Sequence, residues 1–475
     1  MITRLKVQGF KNLYDVEVYF GSFTCIAGSN GVGKSNLFDA LKFLGKLTNQ
    51  TLLEAALSIR DIEHDKRSKS LDIRNIFFHD GHRYCDTISF EVDLILPKTA
   101  IDDLGQTANA TTTYVSYFLT IKYNNANKNS LEITQERLIP LTQGFYEKTL
   151  KKIGAKKEWL ESIRGGKRQN STPFIETKEQ QVLISQDQIQ GGRKKSLIIS
   201  TLPRTVLSTA NALEMPTALV CRREMESWRF LQLEPSALRS ADDISDANQR
   251  ILSNGLHLPA TLHRLINQDE QISFQIANRL SQLIDDIFEI TVDKDEKRDT
   301  LTIMLRNRDG NFLPASSLSD GTLRFLALSI LEADHTEQGL ICLEEPENGI
   351  HPQRIPAILS LLQDIATNIE QPIENDNYLR QVIINTHSPL VVSEMIESDV
   401  LFATTQTYIS ENHRFKGVVF KPLLNTWRFK SDLPSLGAVS KAELLHYLNP
   451  INSEENDDLT YQYSSTKKSQ NNTFL

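Results

Sequence analysis

The sequence predicts an α/β fold with a parallel-sheet core, an attached antiparallel β portion, and a helical, basic segment inserted between the two halves of the core. Three observations predict it. A short apolar run, "FTCIAG", ends in glycine; a glycine-rich loop and an amphipathic helix follow, with Leu37, Ala40, Leu41 and Leu44 at i, i+3, i+4 and i+7. Residues 321–420 read as helix, strand, helix, strand, helix, the crossover order of a parallel sheet. "TISFEVDLIL" and "YVSYFLTIKY" alternate apolar and polar residues with period two, as half-buried antiparallel strands do.

In chain order, residues 1–27 read as two or three strands, and residues 1–130 as the first half of the fold. Residues 131–285 read as the insertion, mixed and basic at first, helical from about 203. "EKTLKKIGAKKEWLESIRGGKRQN" carries Lys148, Lys151, Lys152, Lys156, Lys157, Arg164, Lys167 and Arg168 against three glutamates, and "GGRKKS" follows at 191–196. Residues 286–425 read as the second half. They open with "DEKRDTLTIMLRNRDGNFLP", where Leu301, Ile303 and Leu305 share one face and Asp309-Gly310 forms a turn. Residues 426–475 are a C-terminal segment whose tail beyond about 452 has too little apolar content to order itself.

Composition narrows the function. The 475 residues are 40% hydrophobic and 24% charged, an ordinary globular balance, with a formal net charge of −8. That balance gives no global attraction to nucleic acid or anionic membrane, although a local basic patch can still bind either. No apolar run reaches the roughly 20 residues that span a bilayer. Cys25, Cys85, Cys221 and Cys342 lie far apart with no CxxC pair, which argues against a zinc site or disulfide framework and fits a cytoplasmic protein.

"GSNGVGKS", Gly28 to Ser35, matches G-x-x-x-x-G-K-[ST] between a strand and a helix. Glycines let backbone N–H groups close around phosphates, and the helix N-terminus adds donors and partial positive charge. Lys34 is spaced to reach β- and γ-phosphates, and the Ser35 hydroxyl to ligate Mg²⁺. In "GLICLEEPENGIHP", Leu340 to Leu343 form a strand apolar on both faces, so Glu344 and Glu345 project at its C-terminal end, where ligands bind in parallel sheets. One carboxylate there suits a Mg²⁺ hydration shell, the other a general base for water. "SLSDGTLRFLALSIL" starts a helix at Ser319, Asp320 and Gly321, with Leu323, Leu326, Ala327 and Ile330 on one face. Its tip is either an ordinary serine cap or a second anion site. One nucleotide meets both devices only if they come together, which suggests a head-to-tail dimer. "VIINTHSPLVV" sets His387 at the end of an apolar strand, where it can bond a γ-phosphate or the attacking water.

These stretches, in this order, resemble the ABC-type ATPases. "GSNGVGKS" resembles the Walker A motif, "LSDGT" the signature, "LICLEE" Walker B, "ENGIHP" the D-loop and "NTHSP" the H-loop, while "ITRLKVQGFKNL" is similar to the first strands of the RecF/SMC/OLD-like branch. Within that branch the chain resembles the stand-alone AAA-type ATPases paired with effector nucleases in bacterial antiphage defence. Looser matches are "LEPSALR", "SNGLHLPATL" and "LNTWRFKSDLPSLGAV". The resemblance implies an ABC-ATPase head using ATP and Mg²⁺. In it Gly28, Asn30, Gly31, Gly33, Lys34 and Ser35 bind ATP-Mg²⁺, Glu344 places Mg²⁺ through water, Glu345 is the general base and His387 senses the γ-phosphate. It further implies that Ser319 and Gly321 act in trans, that Asn348 reaches across the interface, and that Lys11 contacts phosphate. Two departures stand out. Glu344 replaces the usual aspartate, and no glutamine stands where a Q-loop belongs; "RNIFFHDG" occupies that neighbourhood, with His79 or Asp80 as substitutes.

Two functions follow from different features. A nearly complete ATPase core beside a long insertion suggests an ATP-switched dimer, or higher oligomer, controlling an effector encoded nearby in antiphage defence. The basic stretch at 148–168 and 193–195 suggests instead a DNA-repair or DNA-remodelling ATPase, unless it is a solvated lysine face. A transporter subunit fits poorly with "ENGIHP" and the large polar insertion, and no membrane partner is expected. An inactive scaffold remains the alternative if Glu344 fails to support the metal.

Overall fold

The computed structural model describes residues 1–59, 73–124, 130–166, 172–185, 195–245, 250–284, 287–374, 376–410, 413–430 and 437–448. The predicted tail beyond 452 and Lys167, Arg168, Arg193 and Lys194 of the basic stretch lie outside them.

Two sheets organise the chain. The first has the order Arg229–Leu231, Gly339–Glu344, Arg380–Thr386, Phe23–Ala27, Val400–Ser410, His413–Pro422. Its first five strands run parallel and the last is antiparallel. Its central strands are buried on both faces, so they read as continuous apolar runs. Alternate residues enter different cores. Ile26, Cys342 and Ile383 join the core shared with the second sheet. Cys25, Ile341, Leu343, Val382 and Ile384 join a core on the opposite face, under the helices Leu258–Gln268, Gln271–Leu280, Asp320–Ala333 and Ile355–Ile365.

The second sheet is antiparallel, with the order Lys195–Ile198, Gln181–Ile184, Ile175–Lys178, Ser130–Pro140, Tyr114–Asn124, Thr87–Ile95, Ile2–Phe10, Leu13–Tyr19. The two strands expected from their alternation pair along their length, from Thr87↔Lys122 to Ile95↔Tyr114. Helix Lys34–Lys46 is packed between the sheets: Phe43 lies 5.9 Å from both Phe10 and Phe90 of the antiparallel sheet, and Leu37, Ala40, Leu41 and Leu44 are buried as their spacing predicts. Buried Gln381 joins the sheets by accepting from Ile2 N (2.8 Å) and donating to Ile2 O and Gly21 O (2.7 Å each).

Residues 131–285, expected as an insertion, contribute to several places. Four strands extend the antiparallel sheet, Arg229–Leu231 forms the edge of the parallel sheet, and two helices cover the second core. The hairpin around Gly310 forms as expected, with Leu301, Ile303 and Leu305 buried. The four cysteines are free, and Cys25, Cys221 and Cys342 are buried. Among the described residues no helix is long and apolar enough to cross a membrane.

Glu136 is a fully buried carboxylate in the antiparallel sheet. It accepts from Val206 N (2.7 Å), Leu207 N (2.8 Å) and Tyr117 Oη (3.2 Å). Burial outweighs these bonds and pushes its pKa up to about 7. A raised folded-state pKa makes a contribution that is complete below the unfolded value of 4.5 and is lost as pH rises through about 7. Glu136→Gln should therefore flatten the fall in unfolding free energy, measured by urea denaturation, between pH 5 and pH 8, by on the order of 3 kcal/mol across that window. Equal pH slopes for the two proteins would refute the assignment.

Candidate nucleotide site

Strand Phe23–Ala27 delivers the chain to the phosphate loop at the centre of the parallel sheet, where Gly28 N donates to Thr386 O at 3.2 Å. Asn30 and Gly31 form the exposed tip, and Ser35 stands in the first turn of helix Lys34–Lys46. Gly33 has φ 114°, and a Cβ there would lie 2.0 Å from Asn12 Nδ2. Only glycine suits both constraints. Asn12 braces the loop, donating to Val32 O (3.0 Å) and accepting from Asn36 Nδ2 (2.8 Å). No motif marked Asn12 in the sequence.

Lys34 is buried and turned back onto its own loop, donating to Gly28 O (2.6 Å) and Ser29 O (2.9 Å). Burial holds its pKa below the ordinary lysine value, against the opposing fields of Glu345, Glu347 and Glu344. Lys11 forms a 3.0 Å ion pair with Asp39, both side chains nearly buried, which fixes the turn after the first strand to the loop helix.

Strand Gly339–Glu344 ends at Glu344, and the chain then turns sharply. Glu345 has φ 45°, a left-handed conformation that a non-glycine residue adopts only under constraint. Its N–H supplies the constraint, donating to Asn385 O (3.0 Å) and Asn385 Oδ1 (3.1 Å). The carboxylate receives Asn348 Nδ2 at 2.7 Å and His387 Nδ1 at 2.8 Å. Burial alone would raise its pKa, but these bonds and the charges of His387 and Lys34 outweigh burial and keep it low. An ionised Glu345 can only accept, so His387 Nδ1 is the donor of this bond, and Nε2 is turned away from Glu345.

Glu347 was not singled out in the sequence. It is buried and accepts from the Thr386 hydroxyl; burial raises its pKa, and among the described residues its second oxygen, Oε2, has no hydrogen-bond partner.

A glutamine that the sequence reading did not single out, Gln232, stands beside the carboxylate strand. Edge strand Arg229–Leu231 pairs in parallel with Gly339–Glu344, in the register Leu231↔Leu343. The next residue, Gln232, therefore reaches the level of Glu344. Gln232 and Glu344 line both adjoining cavities, of about 540 and 130 Å³. Asp80 is engaged elsewhere, accepting from His82 N and Arg83 N and pairing with His413 at 3.0 Å. His79 packs against Tyr84, the rings tilted at 57° with centroids 4.5 Å apart.

Ser319 caps helix Asp320–Ala333 as predicted, its Oγ accepting from Thr322 N at 3.3 Å, and it is exposed. Gly321 is pressed onto the 345–350 turn, and a Cβ there would lie 2.7 Å from Gly349 O. Arg239, within "LEPSALR", holds the cap by donating to Leu318 O (2.9 Å) and Asp320 Oδ1 (2.6 Å). Arg324 donates to Leu233 O (3.3 Å) and Asn348 O. The serine-capped helix is thus fastened to the carboxylate turn and to the Gln232 segment. Among the described residues, no hydrogen bond joins residues 28–35 to residues 318–321.

Gln232 and Glu344 share the cavity lining and offer an amide oxygen and a carboxylate, and Ser35 in the first turn of the loop helix offers a hydroxyl; such oxygen donors suit a hard cation such as Mg²⁺. Among the described residues no group of three or more His, Cys, Asp or Glu could hold a metal ion.

A phosphate loop at the centre of a parallel sheet, with paired carboxylates two strands away and a histidine at the end of the strand between, defines a P-loop nucleoside triphosphatase. A family model described as "AAA ATPase domain" matches residues 1–392, and the chain belongs to that family of ATPases. No curated protein matches it. Similar solved structures include an Smc head bound to the C-winged helix domain of ScpA, at 13% identity and TM-score 0.45, covering 89% of this chain and 98% of that one. They also include the SMC head domain from Thermotoga maritima, at 12% identity and TM-score 0.38, covering 88% and 98%. A third is an Smc head domain with an extended coiled coil bound to the C-terminal domain of ScpA, from Pyrococcus furiosus, at 10% identity and TM-score 0.38, covering 88% and 96%.

Proposed function

We propose that the chain hydrolyses ATP-Mg²⁺ in a site completed by a second copy of itself, and that the closed dimer controls a partner effector in antiphage defence. The observation that carries the hydrolytic part is the Glu345 arrangement: an ionised carboxylate held by Asn348 and His387, in the field of a desolvated lysine. Binding would draw Lys34 from the carbonyls of Gly28 and Ser29 to the β- and γ-phosphates, while Gly28, Asn30, Gly31 and Gly33 present backbone to them. Glu345 would orient the attacking water and take its proton. His387 Nε2 faces the γ-phosphate in this reading. When bound, Mg²⁺ would neutralise phosphate charge, held by Ser35, Gln232 and, through water, Glu344.

Ser319 and Gly321 act on the partner's nucleotide in this reading. Exposure of Ser319 and the firm attachment of its helix to the 345–350 turn support it. Asn348, exposed on that turn, stands where it can report the partner's docking. Contacts made only with γ-phosphate present would then shift a two-state equilibrium read by the effector. The effector role rests on the family resemblance of the motifs and is tested by co-purification with the product of a neighbouring gene. Full defence in cells lacking that product would end it.

A second reading, DNA binding, has one observation in its favour: Lys148, Lys151, Lys152, Lys156 and Lys157 are all exposed on adjacent helices Gln143–Lys152 and Lys157–Ile163. Arg164 is not part of that face, being paired with Glu147 at 2.6 Å. DNA affinity whose salt slope disappears when these lysines become glutamates would favour it over the effector reading.

A further inference from the structure

We propose that Glu347 is a positioning residue of the hydrolytic site: its carboxylate clamps Thr386 and so fixes the loop that presents His387 to Glu345. The proposal rests on the reading of Glu345 and His387 given above.

The His387 side chain is 39% exposed, so packing alone does not hold its ring. Hydrogen bonds on either side do. Thr386, immediately before it, is fully buried and donates its hydroxyl to Glu347 Oε1. The same hydroxyl oxygen accepts from Ser388 N, immediately after it, at 2.9 Å. One threonine oxygen thus ties both neighbours of His387 to Glu347. The carboxylate lies three residues beyond Glu344 on the rigid turn that also carries Asn348. The turn and the histidine loop are therefore joined twice, by Glu345–His387 and by Glu347–Thr386.

Packing does not call for a carboxylate at this position. Glu347 is only 8% exposed, and among the described residues its buried Oε2 has no hydrogen-bond partner. A buried polar oxygen left unmatched is costly, so the group serves through the oxygen that is matched. Glutamine at 347 would keep the acceptor for Thr386 and place its NH₂ where Oε2 has no partner. Alanine would free Thr386 and, with it, Ser388 N–H.

The test uses the full chain and three variants: Glu347→Ala, Glu347→Gln and Thr386→Val. ATP turnover is measured against ATP concentration, with thermal unfolding as a check on folding. Glu347→Ala and Thr386→Val should each lower kcat by roughly 10- to 100-fold, the scale of a catalytic group displaced by about an ångström. KM should move by less than about threefold, because the phosphate loop is untouched. Glu347→Gln should recover most of the loss. Wild-type kcat in Glu347→Ala or Thr386→Val overturns the proposal, as does a Glu347→Gln loss as deep as that of alanine, which would make the charge itself the requirement. If the alanine variant does not fold, Thr386→Val carries the test. Glu345→Gln in the same assay separates the two levels. Full turnover there refutes the hydrolytic reading, whereas its loss alongside an active Glu347→Ala refutes only the clamp.

Discussion

Glu345→Gln is expected to lower ATP turnover by roughly 10²- to 10⁴-fold, the usual worth of a positioned general base. ATP binding should persist, and saturating ATP should shift the native mass to twice the 53.9 kDa of one chain. The reasoning runs from backbone to proton. The left-handed turn at Glu345 is held by two bonds to Asn385 and points the carboxylate at His387 and Asn348. The backbone turn does not depend on charge, so, with Asn348 turning its own oxygen toward the new NH₂ and the remaining oxygen accepting from His387, the amide should stay in the same place. It cannot take a proton from water, and ATP should remain trapped between copies. The Glu345 pKa lies below the ordinary carboxylate value, so the base form is complete throughout the neutral range. An acid limb in the pH–rate profile between pH 6 and 8 would have to come from another group. Phosphate release and native mass spectrometry decide the matter. Near-wild-type turnover removes Glu345 as the base, and an unchanged mass at saturating ATP removes the shared site.

The phosphate loop was legible because its chemistry is local. Eight consecutive residues set the glycine conformations, the helix start and the lysine reach. Glu344 and Glu345 were legible for a related reason, since a fully apolar strand must end before a charge appears. Ser319 was legible as a cap because serine followed by a long apolar helix has few other uses. Gln232 was not legible. Its strand is three residues long, Arg229–Leu231, and alternates with no clear period. Its meaning comes from pairing with a strand that begins at Gly339, more than 100 residues later. The phosphate loop is followed by "RNIFFHDG" long before Gln232 arrives, so reading in order drew attention to that stretch first. The same long-range pairing hid the role of residues 131–198. The basic run at 148–168 looks like an inserted surface, yet Leu138↔Ile175 shows strands on either side of it meeting in one sheet. Glu347 was hidden by company: a third glutamate beside two with obvious work carries no signal until its burial and its contact with Thr386 are seen.

Adding Ser319→Arg to Glu345→Gln should abolish the ATP-dependent doubling of mass while ATP affinity of the single chain stays within about threefold. On an otherwise wild-type background the arginine should lower turnover by roughly 100-fold or more, as expected when a donor aimed at transition-state charge is lost and the interface is blocked. Loss of the helix cap would cost only about 1 kcal/mol, too little to unfold a domain of this size. The two readings of Ser319 part at nucleotide affinity. If Ser319 touched the phosphates of its own chain, the variant would weaken ATP binding by the monomer. If it touches the partner's, binding is spared and assembly is lost. The structure favours the second outcome. Ser319 is exposed, its recorded bonds are to Thr322, and its helix is fastened through Gly321 and Arg324 to the turn that carries Asn348. A partner pressing on Ser319 would therefore push on the turn that holds Glu345. Fluorescent-nucleotide titration and native mass on the double variant measure the two quantities separately. A weakened monomer affinity, or a dimer that survives the arginine, would return Ser319 to the status of a simple helix cap.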